Sequence, residues 1–344
     1  MKAVVQYSFG GPEVLELVEV PDPVPGPNEV VIEIHAVSVN RTLDLAVRAG
    51  TYVRRPRLPH VLGVDPSGVV TMVGREVTTR KPGDRVFVNL FVPTENPSAI
   101  YMREVGLVNL LGVDIWGGYA EKVAVPASNT HLIPDGLDFQ QATVIARHGP
   151  TALNLVELRG SIKPGETMLV MGAAGGIGSM AVQIGKLNGA TVIAAAGSPG
   201  RVQAALDFGA DHGVDYRLSD LAVEVERLTG GRGVDLICDN VGDAELWSKA
   251  FQSLALGGRV VTAGAHAGGK VELDLRRLYM KRIQIIGDGS EVPNGIERTF
   301  QLAAESKLYG RVDKVLPLEA AAQAHQLVAS RDGVGKVLLT PKQP

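Results

Sequence analysis

The stretch Thr167–Gly178, "TMLVMGAAGGIG", decides the fold. A short apolar run opens it, and glycines follow at 172, 175, 176 and 178 before the helix-forming "SMAVQIGKLNG". Glycines so placed let the backbone turn tightly, approach a pyrophosphate and seat the next helix on the sheet. The helix start offers free N–H groups at the positive end of its dipole. A glycine-rich turn without a ligand is the alternative; a strand before, a helix after and a second strand beyond weigh against it. Working outward, the apolar runs "ATVIAAAG", "DHGVDY", "VDLICDNV", "GRVVTAG" and "IQIIG" follow, with candidate helices over 177–187, 201–208, 218–229 and 244–254. Strands alternating with helical crossovers predict a parallel, doubly wound sheet covered on both faces.

The second strand ends in "AAAGSPGR", Ala194–Arg201. An acid about twenty residues beyond the glycines normally accepts hydrogen bonds from an adenosine ribose, and here there is none. Gly197 leaves room, Ser198 has a hydroxyl, and the guanidinium fork of Arg201 suits a phosphate on the ribose 2′-oxygen. The pattern favours NADPH over NADH. A solvated first-turn arginine is the other reading of Arg201, disfavoured because a cation near a helix N-terminus is mildly destabilising.

Residues before about 130 have a different texture: "KAVVQYS", "VLELVEVP", "EVVIEIHAVSV", "PSGVVTMVG", "DRVFVNL" and "YAEKVAVP" are short strands punctuated by turn residues. Pro21, Pro23, Pro25 and Pro27 forbid a regular ladder between the second and third of them, and a mainly antiparallel domain is expected. After Gly287 come two helical stretches and a last strand, "GKVLLTP", a tail too short for a domain and expected to rejoin the first. The expected division is 1–147 with 289–344, and 148–288. The 344 residues allow two domains, and 45% hydrophobic and 21% charged residues supply cores without a sign of disorder. A formal charge of -3 gives no field strong enough to argue for nucleic acid or an acidic membrane surface, and the acidic balance, without a basic aromatic-rich signature, speaks against a nucleic-acid role. One cysteine, Cys238, excludes an intramolecular disulfide and a multi-cysteine zinc site. With an N-terminus unlike a signal peptide and no long apolar run, it points to the cytoplasm. Cys238, inside an apolar strand, is read as a buried small hydrophobe. The seven histidines are scattered without an i, i+4 pair, so no metal is expected.

"SVNRTLDLAVRAGTY", "PHVLGVDPSGVVTMVG", "KPGDRV", "GGYAEKVAVPA", "LRGSIKPGETMLVMGAAGGIG" and "GKVLLTP" stand in the order and spacing of a known family. On them the chain resembles the medium-chain dehydrogenase/reductase superfamily, and within it the zinc-free quinone oxidoreductase, zeta-crystallin-like branch. The resemblance implies a GroES-like catalytic domain beside the Rossmann domain. Zinc-dependent relatives carry a cysteine at the place of Asn40, a histidine at Val64, and a cysteine or acid near Arg147. Valine has no donor atom and arginine stays charged, so the catalytic zinc site is absent. The cysteine-rich structural-zinc loop keeps its length, 90–116, but holds no cysteine. By resemblance Thr151, Ala174, Gly175, Gly176, Ile177, Ser198, Arg201, Tyr216, Asn240, Gly264 and Arg331 bind the cofactor. Asn40 is placed at its nicotinamide-ribose end, and Tyr52 in the substrate pocket. Tyr52 is read as a hydrogen-bond or proton donor, or equally as a rim aromatic that only packs. Asp44 holds its loop rather than doing chemistry. His148, beside the hinge, is the histidine nearest the cleft.

Without a metal to polarise a carbonyl, conjugate reduction asks less of the protein than ketone reduction, because charge spreads onto an oxygen that hydrogen bonds can steady. The expected function is therefore an NADPH-dependent, zinc-independent reductase of quinones or α,β-unsaturated carbonyl compounds. Two alternatives stay open: an NADP-linked alcohol or carbonyl dehydrogenase or acyl-thioester enoyl reductase, and a crystallin-like protein that binds NADPH without turnover. The strand near residue 285 ends the sheet at an exposed edge, and edges need covering; a homodimer joined there is expected, as the family usually shows.

Overall fold

In the computed structural model, which describes residues 1–93, 108–265, 267–289, 292, 294–330 and 333–341, the strand Thr167–Met171 lies at the middle of a six-stranded parallel sheet. The order across it is His212–Asp215, Thr191–Ala196, Thr167–Met171, Val234–Asp239, Leu254–Thr262, Gln284–Gly287. The strand order reverses beside Thr167–Met171, and at such a switch point the carboxyl ends of the strands open a crevice. The central strands are near-continuous apolar runs because both faces are covered. Leu169, Met171, Ile193 and Ile237 pack on Trp247 and Phe251 in one core cluster. The helices Gly176–Leu187, Pro199–Asp207, Leu221–Leu228 and Ala244–Gln252 stand where the periodicity put them, with ends shifted by a few residues. Asp220 and Asp243 cap two of them by accepting backbone N–H bonds, which ends the helices where the apolar pattern alone could not.

The chain divides into Met1–Arg147 with Arg311–Pro344, and His148–Gly310. The first boundary agrees with the expected one. The second does not: 289–310 belongs with the parallel sheet, and only the strands and helix beyond Gly310 rejoin the first unit. The Thr299 methyl of helix Gly295–Ala304 lies 2.3 Å from where a Cβ on Gly149 would be. Tyr309 exchanges two 3.0 Å hydrogen bonds between its backbone and the Gln183 carboxamide, and its hydroxyl donates to the Asp207 carbonyl. These contacts tie the segment to the helices Phe139–Leu153, Gly176–Leu187 and Pro199–Asp207.

The first unit is mainly antiparallel, as expected. Glu29–Ser38 is its hub, paired with Ser67–Val73, Lys122–Pro126 and Lys336–Thr340. The final strand also pairs, in parallel, with Val312–Pro317. The proline run separates sheets: Leu15–Glu19 pairs with Lys2–Gln6 in a different sheet from Glu29–Ser38. The helix Phe139–Leu153, with Pro150 inside it, escaped the sequence reading. Among the described residues no helix is long and apolar enough to cross a membrane.

Candidate functional site

In the second unit Gly172 follows the first strand with a φ of +65°, a value that favours glycine, and its carbonyl accepts the Gly175 N–H at 2.9 Å. A Cβ on Gly178 would lie 2.3 Å from that same carbonyl oxygen, so no larger residue fits. Gly175 caps the helix, and its carbonyl takes the Ser179 N–H at 2.9 Å. The N–H groups of Gly176, Ile177 and Gly178 therefore have no partner within the helix. Ala174 is half-buried beside them. Two further side chains frame the turn. The His148 imidazole lies against Gly176, within 2.5 Å of where a Cβ would be, and the Asn240 carboxamide oxygen is 3.0 Å from the same point on Gly172. Thr151, one turn beyond His148 on the helix, is half-buried. The cradle fits a pyrophosphate: close backbone, free donors, and no side chain larger than a methyl in the turn itself.

At the end of the second strand the Tyr216 ring lies over Gly197, its hydroxyl 2.8 Å from where a Cβ would sit. Ser198 caps helix Pro199–Asp207 with its carbonyl, taking the Arg201 and Val202 N–H groups at 3.1 and 3.0 Å, while its hydroxyl makes no capping bond. Burial raises the Tyr216 hydroxyl above its ordinary pKa, and the Arg201 and Arg217 guanidinium groups pull it back. Ser198, Arg201 and Tyr216 are thus gathered around Gly197.

A cavity of about 330 Å³ opens at the carboxyl ends of the last three strands, lined by Asp239, Gly242, Trp247, Thr262, Gly264 and Asp288 among others. Gly264 is the one predicted residue on its wall. The buried Asp239 carboxylate accepts the Val241 N–H at 3.0 Å, and burial raises its pKa against the pull of backbone donors. Cys238 beside it is buried, its thiol pushed up to about 12. Arg331 lies outside the described residues.

In the first unit Asn40 sits in a buried polar network. Its Nδ2 donates to Asp65 Oδ2 at 2.9 Å and to Ser38 Oγ at 3.0 Å, while Oδ1 accepts from Lys336 Nζ at 2.7 Å. Asp65 also takes the Ser38 N–H at 2.8 Å. Asp44 accepts the N–H groups of Asn40 and Gly63 at 2.7 and 3.0 Å, clipping two loops together as expected of it. Burial, with Asp65 beside it, pushes the Asp44 carboxyl up to about 7. Next to this network Arg48 Nη1 donates to His325 Nδ1 at 3.1 Å, which fixes the remaining proton on Nε2, 3.2 Å from the Tyr119 hydroxyl. Burial and Arg48 hold His325 neutral, down to about 3. Val64 is fully buried in the apolar cluster on which half-buried Tyr52 packs. Among the described residues no group of three or more His, Cys, Asp and Glu could hold a metal. Sequence reasoning missed Asp65, Ser38 and Lys336; each lies in a stretch, "SVNRTLDLAVRAGTY", "PHVLGVDPSGVVTMVG" or "GKVLLTP", valued as a family match and not for these side chains.

A GroES-like antiparallel unit and a switch-point glycine cradle in one chain define an oxidoreductase of the medium-chain dehydrogenase/reductase superfamily. Family models agree: residues 26–135 match the alcohol dehydrogenase GroES-like domain, and 176–305 the zinc-binding dehydrogenase. The quinone oxidoreductase of Sus scrofa is 32% identical over 98% of this chain and 97% of its own. Quinone oxidoreductase 1 of Escherichia coli K12 is 30% identical over 97% and 98%. The chain belongs to the quinone oxidoreductase branch of the superfamily. Among solved structures, an NAD-dependent alcohol dehydrogenase matches with a TM-score of 0.90 and 37% identity over 99% of this chain and all of that one. The Escherichia coli quinone oxidoreductase complexed with NADPH matches with 0.82 and 28% over the same shares.

Proposed function

We propose that the protein is an NADPH-dependent, zinc-independent reductase of quinones or α,β-unsaturated carbonyl compounds. The grouping of Ser198, Arg201 and Tyr216 around Gly197, with no acid at 197 or 198, carries the cofactor assignment. The glycine cradle would hold the pyrophosphate, with Thr151 and Asn240 beside it, and Gly264 would line the nicotinamide end. Bound there, the cofactor supplies a hydride. The protein's share is orientation, exclusion of water, and a hydrogen bond to the oxygen that gains charge, for which Tyr52 is the candidate donor. The family relatives named quinone oxidoreductases support the substrate class. Asn40 and Val64 offer no anionic or imidazole donor to a catalytic metal, which favours conjugate reduction.

The likeness to an NAD-dependent alcohol dehydrogenase favours a second reading, NAD(P)-linked alcohol or carbonyl chemistry. An NADPH and NADH oxidation assay over a small panel of quinones and enones, with product analysis, separates the two. Quinone reduction or saturation of the alkene is expected, with NADPH preferred. Reduction at the carbonyl alone would favour the second reading, and cofactor binding without turnover would overturn both. The assignment is completed by a small-molecule substrate, a homodimer joined at the sheet edge, and the cytoplasm as the compartment, on the single cysteine.

A further inference from the structure

We infer that Lys336 is a positioning residue of this site, its ammonium fixing the carboxamide of Asn40; the inference rests on the reductase reading above. The topology brings the two together. The last strand is antiparallel to Glu29–Ser38 with Leu338 opposite Ser38, so Lys336, at the start of one, meets Asn40, just past the end of the other. Nζ donates to Asn40 Oδ1 at 2.7 Å and to the Val39 carbonyl at 3.4 Å.

The chemistry of the partners fixes which way the amide points. An ammonium can only donate and an ionised carboxylate can only accept, so the atom facing Lys336 is the oxygen and the atom facing Asp65 is the nitrogen. Both amide hydrogens are thereby committed inward, to Asp65 Oδ2 and Ser38 Oγ. Asn40 has no donor left, and what it presents to a ligand is a lone pair whose direction Lys336 sets. This sharpens the expectation for Asn40: it acts as an oriented acceptor, not as a donor to developing charge.

Lys336 also balances the charge. The groups facing it are the carboxylates of Asp65 and Asp44 and the Arg147 guanidinium. Burial pushes the lysine down to about 8, Arg147 in the same direction, and the two carboxylates oppose them. Below that pH the ammonium holds Oδ1. Above it the neutral amine can accept as well as donate, and the contact with Asp65 alone then holds the amide against its flip.

The test uses Lys336→Met and Lys336→Arg in the full-length protein, with kcat and KM measured against pH for whichever quinone the wild type reduces. Wild-type kcat is expected to fall above pH 8. Lys336→Met should lower kcat at pH 7 by about tenfold, with KM changed far less, since the interaction lost orients a group without binding substrate. Lys336→Arg, a cation that does not titrate in this range, should recover most of kcat and lose the alkaline fall. An unchanged kcat in Lys336→Met, or an alkaline fall at the same pH in Lys336→Arg, overturns the inference. Should Lys336→Met fail to fold, the arginine variant decides. Should the wild type reduce nothing in the panel, the reductase reading fails instead. Lys336 is then judged by the side-chain amide ¹⁵N signal of Asn40, assigned by its loss in Asn40→Ala. That signal should titrate near pH 8 in wild type and not in Lys336→Arg; titration in both, or in neither, overturns the inference.

Discussion

Arg201 concentrates the cofactor question in one side chain. It stands one turn into a helix whose cap, Ser198, keeps its hydroxyl out of the capping bond, and its charge is felt at the Tyr216 hydroxyl. Charge-assisted hydrogen bonds contribute roughly 1.5–3 kcal/mol. Arg201→Ala is therefore expected to reduce the ratio of kcat/KM for NADPH over NADH by about 10- to 100-fold, chiefly through KM for NADPH. A ratio equal to wild type in paired titrations would remove the phosphate pocket from this loop. The proposed pocket could be read in sequence because its parts lie close along the chain: Gly197, Ser198 and Arg201 are neighbours, and Tyr216 follows the adjacent strand. Asn40 was legible only as a position, because the side chains that orient it, Asp65 and Lys336, are 25 and 296 residues away.

Among the elements, the cysteine-free loop is the one whose anchoring changed character. Of its residues, 94–107 lie outside the described ones, and what holds the loop is visible at its end. There Val108–Leu110 pairs with Phe91–Pro93, and Leu111 and Val113 are fully buried. The loop is tied down by an ion pair between Arg54 and Asp114, whose side chains are 2% and 3% exposed. Asp114 also takes the Leu110 N–H at 2.8 Å, and Trp116 Nε1 donates to the Pro59 carbonyl at 3.1 Å. Removing one partner of a buried pair leaves the other's charge uncompensated, at about 3–5 kcal/mol. Asp114→Ala should therefore destabilise by about that much in urea unfolding, while Arg54→Met with Asp114→Leu should cost less than the single change. A single variant as stable as wild type would show that the pair anchors nothing. Neither residue announces this in sequence, since arginines and aspartates in loops are ordinarily solvated.

At the scale of the whole molecule the outstanding feature is the open edge of the parallel sheet. Among the described residues Gln284–Gly287 has one neighbour, and Ile285 on it is 40% exposed. Leu256, Leu275, Tyr279 and Met280, on the adjoining strand and helix, are each more than 60% exposed. An unpaired edge beside apolar side chains is a template for pairing with a second copy. Light scattering at micromolar concentration should accordingly give twice the 36.3 kDa of the chain, and Ile285→Lys should shift the mass toward the monomer. A monomeric wild type would overturn the dimer.

The sequence by itself determined what depends on neighbours along the chain: the alternation of apolar runs and helices that makes the sheet parallel, the glycine turn that only glycine's freedom permits, and the grouping of Ser198 and Arg201 beside Gly197 after the second strand. Tertiary structure alone decided that 289–310 stays with the sheet, through the contacts of Thr299 and Tyr309. It also decided that the last strand delivers Lys336 to Asn40 and that Arg48 keeps His325 neutral. The physical reason for the last two is the same. A buried polar group must find its partner wherever the fold places one, and that partner's distance in sequence is set by topology, which no local pattern encodes.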